Sequence, residues 1–171
     1  MKPVVIWLLG LSGAGKTTLA QRLAHHFATQ GTKATLLDGD VVRAKKPMAG
    51  FARADRLEHL KAVAHEASQL EKSGHVVLGA FITPYEEARS FLRQTCQNYI
   101  EVWVDTTLED CERRDVKGLY GKARRGEITH FTGISDIFEQ PLHADIHLKT
   151  ANHSVEETFQ ELLGKLEALT K

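Results

Sequence analysis

The feature that most constrains this chain is a glycine-rich stretch at residues 10–17, GLSGAGKT, which fits the pattern G-x-x-x-x-G-K-[ST]. The continuous apolar run at 3–10 that leads into it predicts a strand buried on both faces. The residues that follow, 16–29, repeat apolar side chains at helical spacing. A buried strand, a glycine turn and an amphipathic helix in this order are typical of a phosphate-binding loop.

The chemistry of such a loop explains its residue types. Glycines let backbone N–H groups turn inward around a phosphate, the lysine reaches the β- and γ-phosphates, and the hydroxyl that follows binds magnesium. The stretch therefore predicts that the chain binds a nucleoside triphosphate with Mg²⁺. The predicted nucleotide-binding residues are Gly10, Ser12, Gly13, Ala14, Gly15, Lys16, Thr17 and Thr18, with Thr17 as a magnesium ligand.

The rest of the chain alternates strands and helices. Further strands are predicted at 34–38, 75–82, 99–106 and 145–150, and further helices at 54–72, at 108–114 and from 155 onward. One more helix is predicted to be capped by Thr83, with Pro84 in its first turn and Glu86 completing a capping box. This order predicts an α/β, P-loop NTPase fold: a parallel five-stranded sheet with helices on both faces, in one domain over residues 1–171.

The segment from 115 to 144 has no clean periodicity, although it contains several basic residues and glycines. A long irregular segment in a compact domain is either disordered or functional. Its apolar side chains argue against disorder; they are Leu119, Tyr120, Phe131, Ile134 and Phe138. We therefore expect this segment to be a lid.

Composition narrows the choice of partners. Lys and Arg together number 22, as do Asp and Glu, so the formal net charge is zero. This balance argues against broad electrostatic attraction to nucleic acid or to a membrane surface. The longest apolar run is too short to span a bilayer. Cys96 and Cys111 have no metal-like spacing, which favours free thiols in a reducing cytoplasm.

The phosphate-binding loop leaves three classes open: a switch GTPase, an ATP-driven motor or assembly ATPase, and a small-molecule kinase. A GTPase should carry N-K-x-D and a D-x-x-G after a strand, and the sequence has neither. A motor would usually place glutamate after its Walker-B aspartate, whereas Thr106 follows Asp105 here. A kinase needs a second pocket, a general base and a water-excluding lid. Residues 38–56 and 115–144 offer candidates for all three.

Several segments together resemble the adenylylsulfate kinase family. They are GLSGAGKTT, LDGDVVR, GF…DR, FITP, KGLYGKAR and FTGI, and the resemblance extends over about residues 4–165. The resemblance implies that the chain uses MgATP to phosphorylate the 3′-hydroxyl of adenosine 5′-phosphosulfate. It also implies a homodimer, because the family is often dimeric.

The resemblance also assigns catalytic, magnesium-binding and acceptor-binding roles to individual residues. Asp38 would act at the acceptor hydroxyl as base or magnesium orienter, Lys16 would be catalytic, and Asp40 would help to bind magnesium. Arg43 and Arg56 would hold the phosphosulfate, because arginine presents a planar fork of donors to such anions. The remaining implied acceptor-site residues are Phe51 and Phe131 around the adenine, Lys117 and Lys122 in the lid, and His59, Ile82 and Thr83.

The sequence departs from the family pattern on the acceptor side. The segment KKPMAGFA is one residue shorter than expected, His59 and Ala62 replace an asparagine and an arginine, and Glu86 replaces another arginine. Two readings of the function follow. The chain is either a divergent adenylylsulfate kinase or a relative that phosphorylates another 5′-modified nucleotide, such as cytidine diphosphoramidate. A non-catalytic nucleotide-binding regulator is the third alternative.

Overall fold

The computed structural model describes residues 1–45 and 50–170. The strands are β1 (Val4–Leu9), β2 (Ala34–Asp38), β3 (Val76–Ala80), β4 (Tyr99–Asp105) and β5 (Ile146–Lys149). The helices are α1 (Lys16–Thr29), α2 (Gly39–Lys45), α3 (Arg53–Lys72), α4 (Glu86–Thr95), α5 (Leu108–Arg114), α6 (Leu119–Arg124) and α7 (Val155–Leu169). Part of the divergent KKPMAGFA segment, residues 46–49, lies outside the described residues.

The five strands form one parallel sheet in the order β2-β3-β1-β4-β5. Strand β1 lies in the middle, with Leu8 opposite both Ala80 of β3 and Val102 of β4. All six residues of β1 are buried, which is why this strand reads as an uninterrupted apolar run rather than an alternating one. The predicted α/β fold with a parallel five-stranded sheet is confirmed.

Successive side chains along the strands point to opposite faces of the sheet and pack into two separate cores, one on each face. On one face, Ile6 and Leu8 pack with Leu23 of α1 and Leu162 of α7. On the other face, Trp7 of β1 belongs to a core completed by residues of α3 and α4. Helices therefore cover both faces, as predicted. Within residues 1–45 and 50–170, no helix is long and apolar enough to cross a membrane.

Two local features differ from the prediction. Helix α2 was not expected, because in its charged sequence only Gly39 and Val42 are buried and no apolar period results. Asp38 caps the N-terminus of this helix, since its Oδ1 accepts the backbone N–H of Asp40 at 2.9 Å. The predicted lid segment also contains a short helix, α6, rather than irregular chain throughout.

The predicted capping box at Thr83 is wrong. Thr83 has a φ of 46°, and α4 begins only at Glu86, after an extended Tyr85. The cap comes from far along the chain, because Oε2 of Glu139 accepts the Glu86 backbone N–H at 2.6 Å. Thr83 instead accepts a hydrogen bond from Trp7, so its hydroxyl serves a tertiary contact rather than the helix end.

Candidate active site

The glycine-rich loop joins β1 to α1 in a geometry that only glycines allow. Gly10 and Gly15 have φ values of 147° and 104°, in a region that side chains with a Cβ rarely adopt. A Cβ on Gly10 would also overlap the backbone carbonyl of Val104. The loop leads directly into the N-terminus of α1 at Lys16. Inward backbone N–H groups and a helix N-terminus together suit a bound phosphate.

Lys16 folds back over this loop. Its Nζ donates to the backbone carbonyl of Leu11 at 2.7 Å, and the residue is buried, at 8% exposure. Burial lowers the pKa of Lys16 from 10.5 to about 8, because an ammonium group loses its hydration there. A buried, poorly solvated cation at the N-terminus of a helix suits a bound polyanion.

Asp38 connects the phosphate-binding loop to the acceptor-side elements. Its Oδ2 accepts the Thr17 hydroxyl at 2.6 Å, while its Oδ1 accepts the backbone N–H groups of Asp40 and Val41 at 2.9 and 3.4 Å. The carboxylate is therefore fixed at three points and is buried, at 7% exposure. The predicted magnesium ligand Thr17 and the predicted base Asp38 lie in direct contact.

Thr17, Asp38 and Asp40 carry oxygen ligands of the kind that magnesium binds. In the described part of the chain there is no cluster of three or more His, Cys, Asp and Glu side chains able to hold a metal. Mg²⁺ in nucleotide sites needs no such cluster, because one or two carboxylates act with water and substrate phosphates. The residues present therefore fit a magnesium ion that arrives with a nucleotide.

Asp40 connects α2 to the predicted lid segment, residues 115–144. It forms ion pairs with Arg43, whose Nη2 lies 2.6 Å from Oδ1, and with Lys117 of the lid. Burial alone would raise the pKa of Asp40, but the hydrogen bonds from Lys117 and Arg43 outweigh it and hold the pKa below its usual value. Three predicted site residues, from two separate stretches of sequence, are thus brought together.

Residues of the predicted lid segment and of α5, none of them predicted as site residues, bond to the phosphate-binding loop. Tyr120 donates its hydroxyl to the backbone carbonyl of Ser12 at 2.8 Å, and Arg114 donates to that of Gly13 at 3.3 Å. Asp115 accepts the backbone N–H groups of Tyr120 and Gly121 at 2.9 and 3.1 Å, which fixes the start of α6. Tyr120 lies within the KGLY segment, so the family motif was the available signal.

The second predicted anion-binding arginine, Arg56, contacts the lid as well. Its Nη1 donates to the Thr132 hydroxyl at 2.7 Å and lies 3.6 Å from Asp136 Oδ2, and its Nη2 donates to the His130 carbonyl. Tyr85 donates to the same Asp136 oxygen at 2.6 Å. Arg56 is therefore oriented by groups of the predicted lid segment that lie 74 to 80 residues further along the chain.

The two predicted adenine-binding rings lie in different environments. Phe51 is 60% exposed, whereas Phe131 is 8% exposed and packs edge-on against Tyr120, with ring centroids 5.0 Å apart. The sandwich of a base between them stays a prediction. Among the other predicted residues, Lys122 is exposed on α6 and His59 is half-buried on α3.

Ile82 and Thr83 lie where β3 ends, next to the phosphate-binding loop. The backbone N–H of Gly10 donates to the Ile82 carbonyl at 3.3 Å. Ile82, which with Thr83 forms the predicted acceptor-site wall, is therefore bonded directly to the predicted nucleotide loop. Asp105, at the end of β4, contributes to neither: its Oδ2 contacts His147 Nε2 at 2.7 Å on β5.

Comparison with known proteins now decides the family. A family model described as adenylylsulphate kinase matches residues 2–149. The chain belongs to the adenylylsulphate kinase family. A relative from Paraburkholderia xenovorans, named adenylyl-sulfate kinase, is 47% identical over 164 residues that cover 95% of this chain and 92% of the relative. The resemblance seen in the sequence, and the kinase class that it implied, are confirmed.

Solved structures of the adenylylsulphate kinase family have the same fold. The Mycobacterium tuberculosis APS kinase, in complex with AMPPNP and APS, has a TM-score of 0.90 and 40% identity, over 97% of this chain and 98% of that chain. A hexameric APS kinase from Thiobacillus denitrificans has a TM-score of 0.72 and 27% identity, over 96% of this chain and 29% of that chain. The predicted P-loop NTPase fold is therefore confirmed.

The structure clarifies one departure from the family pattern, Glu86. Its carboxylate accepts from Arg89 Nε at 2.8 Å and from the Ser90 hydroxyl at 3.2 Å, both on its own helix. Arg89 is fully buried, so Glu86 supplies the negative charge that this guanidinium needs. The acid is thus engaged in neutralising a core arginine, and its presence does not by itself argue against an anionic acceptor.

We expect Glu86→Gln to lower thermal stability without changing acceptor binding. The buried guanidinium of Arg89 would lose its charged partner, at a cost of about 1 kcal/mol after screening of the half-exposed carboxylate, or roughly 2–4 °C in Tm. Thermal unfolding of the variant measures this change. Glu156→Gln is the matched control, because the Arg22–Glu156 pair is exposed on both sides and should contribute almost nothing. Equal Tm values for both variants would contradict the assigned role.

We expect binding of MgATP to take up a proton at Lys16 near pH 8. Without nucleotide, Lys16 has a pKa of about 8 and is therefore half protonated at pH 8. Contact with the triphosphate would favour the ammonium form and restore the full charge. Calorimetric titration in two buffers of different ionisation enthalpy should give uptake of about half a proton at pH 8. Since the folded pKa lies below the unfolded one, this residue also makes stability rise with pH between about 8 and 10.5. No proton uptake at pH 8 would contradict the assignment.

Proposed function

We propose that this chain transfers the γ-phosphoryl group of MgATP to the 3′-hydroxyl of adenosine 5′-phosphosulfate, giving 3′-phosphoadenylylsulfate. The contact that carries the proposal is the one between Thr17 and Asp38. It puts a fixed carboxylate where the phosphate-binding loop meets the acceptor-side helix α2. The names of the relatives, and the APS and AMPPNP bound by the mycobacterial enzyme, support the same pair of substrates.

In this reaction, the side chains and backbone groups of the chain would each have a separate role. The glycine loop and Lys16 bind the phosphates of ATP and stabilise the charge that builds up as the γ-phosphoryl group is transferred. Asp38 accepts the proton of the attacking 3′-hydroxyl as the new P–O bond forms and the bond to ADP breaks. Magnesium, when bound with ATP through Thr17 and Asp40, supplies further neutralisation of the phosphates.

The acceptor would be held by groups from α2, α3 and the lid. Arg43 and Arg56 provide guanidinium groups for the phosphosulfate, and both are already oriented by carboxylates, Asp40 and Asp136. Lys117, paired with Asp40, would follow the lid as it closes over the substrates and excludes water. Phe51, exposed beside α3, is available to contact the adenine.

A panel of acceptors tests the proposal. Purified protein with MgATP should release ADP in proportion to added adenosine 5′-phosphosulfate, with a product heavier by one phosphoryl group. Product from a cytidine diphosphate derivative, and none from adenylylsulfate, would replace the proposed acceptor. Absence of acceptor-dependent ADP release with every nucleotide would leave the non-catalytic regulator as the function.

We also propose that the chain forms a homodimer, as the family often does. Sedimentation velocity at two protein concentrations, with and without nucleotide, tests this. A single monomeric species at all concentrations would contradict the dimer, and a larger particle would match the assembly named for the Thiobacillus relative.

A further inference from the structure

The turn between β3 and α4 is held in a conformation that its sequence does not favour. Thr83 has a φ of 46°, in the left-handed region that β-branched residues rarely adopt. It is also 1% exposed, so no solvent contact compensates for the strain. Such a conformation persists only where the surrounding structure fixes it, and such fixed positions concentrate at functional sites.

Two fully buried side chains fix Thr83. The indole Nε1 of Trp7 donates to the Thr83 hydroxyl at 2.8 Å. Nη1 of Arg89 donates to the Thr83 carbonyl at 3.1 Å. Both donors are completely buried, so each bond is formed away from competing water. Removing either donor would leave a buried oxygen without that partner.

Trp7 is itself held rigidly. Its ring stacks on Phe81, with centroids 4.7 Å apart and planes 7° apart. Gly79 lies beneath the indole, and a Cβ at that position would overlap the ring. The glycine thus explains how a tryptophan fits into the central strand of the sheet. The direction of the indole N–H is set by this packing, so Thr83 must adapt to Trp7 rather than the reverse.

Trp7 also belongs to the strand that carries the phosphate-binding loop. It lies three residues before Gly10, whose backbone N–H donates to the Ile82 carbonyl at 3.3 Å. The turn at 82–83 is therefore bonded to this strand through both a side chain and the backbone. Any shift of the indole N–H would move the turn relative to the nucleotide loop.

We propose that Trp7 is a positioning residue, whose indole N–H fixes Thr83 and thereby sets the acceptor-site wall against the phosphate-binding loop. The inference rests on the proposed function and on the family resemblance, which assigns Ile82 and Thr83 to the acceptor site. Phosphoryl transfer depends on the relative placement of two substrates, and a misplacement of about 1 Å can cost 10²-fold in rate. The Trp7–Thr83 bond, together with the Gly10–Ile82 backbone bond, holds that distance.

Variants at both ends of the bond test the inference. Trp7→Phe removes the donor but keeps a ring over Phe81, and Thr83→Val removes the acceptor at nearly constant shape. We expect each to raise the acceptor KM about tenfold while the ATP KM stays within about twofold. The double variant should be no worse than the more impaired single variant, because both remove the same bond.

Trp103→Phe is the control for loss of an indole on the same face of the sheet. Trp103 stacks on His147, with centroids 4.3 Å apart, and has no role in the proposed site. A lower Tm with unchanged acceptor KM for both Trp7→Phe and Thr83→Val would show that the bond is only structural. Additive effects in the double variant would also overturn the inference. If the wild-type protein phosphorylates no acceptor, the proposed function is contradicted, and the positioning role of Trp7 is contradicted with it.

Discussion

Asp38→Asn should reduce kcat by about 10²–10⁴-fold while MgATP still binds. The amide has nearly the shape of the carboxylate, and its oxygen can still accept the N–H groups of Asp40 and Val41 at the start of α2. It cannot accept a proton from a hydroxyl in the same way, nor contribute negative charge beside Thr17. Initial rates under saturating substrates, together with calorimetric titration of MgATP, separate the two effects.

Asp145→Asn is a matched control for that substitution. Asp145 also accepts a backbone N–H, that of Glu101 at 2.7 Å, but it lies just before the start of β5, at the opposite end of the sheet. It should leave kcat unchanged. Full activity of Asp38→Asn would disprove its role at the acceptor hydroxyl. Loss of MgATP binding with the loss of rate would instead indicate that Asp38 acts mainly on the nucleotide side.

The sequence predicted best those elements whose signals are local. The glycine loop, the bounds of α1 at 16–29 and β2 at 34–38, and the start of α7 at 155 all depend on residues within a few positions of one another. Glycines, apolar runs and caps act over this range, so one sequence suffices to read them. The parallel sheet followed from the alternation of these elements.

The failures arose where distant residues decide a local conformation. The sequence at Thr83 and Pro84 is typical of a helix start. In the structure, however, the Thr83 hydroxyl accepts a hydrogen bond from Trp7, which lies 76 positions away in the chain. Glu139 then caps α4 from 53 positions away. Propensity is a weak prior against such tertiary contacts, because a buried hydrogen bond outweighs a few tenths of a kcal/mol in local preference.

The candidate site shows the same difference between residues with a local sequence signal and residues placed by long-range contacts. Lys16 and Thr17 were predicted from a single motif; in the structure Lys16 donates to the Leu11 carbonyl of the loop and Thr17 donates to Asp38. The lid contacts of Arg56 and Tyr120 span 74 to 108 positions and have no local signature. The family segments suggested which residues belong to the site, whereas the structure shows which groups orient them.

Lys16→Ala should reduce turnover by at least about 10²–10³-fold and should not lower thermal stability. The ammonium group is the only part of the side chain positioned to neutralise transferred phosphate charge within the loop, and alanine leaves that charge unmet. Stability should hold because burial lowers the pKa of Lys16 to about 8, which means that the fold tolerates the charged form poorly. Initial rates and thermal unfolding of one preparation measure both effects.

Lys33→Ala provides the comparison, since Lys33 is exposed just before β2 and has no place in the site. It should match the unchanged protein in both rate and Tm. A Tm loss for Lys16→Ala comparable to that of a core truncation would mean that its hydrogen bond to Leu11 supports the loop, so that lost activity would reflect a misfolded loop. Loss of rate with a preserved or raised Tm would show that this buried charge is retained for catalysis against its cost to folding.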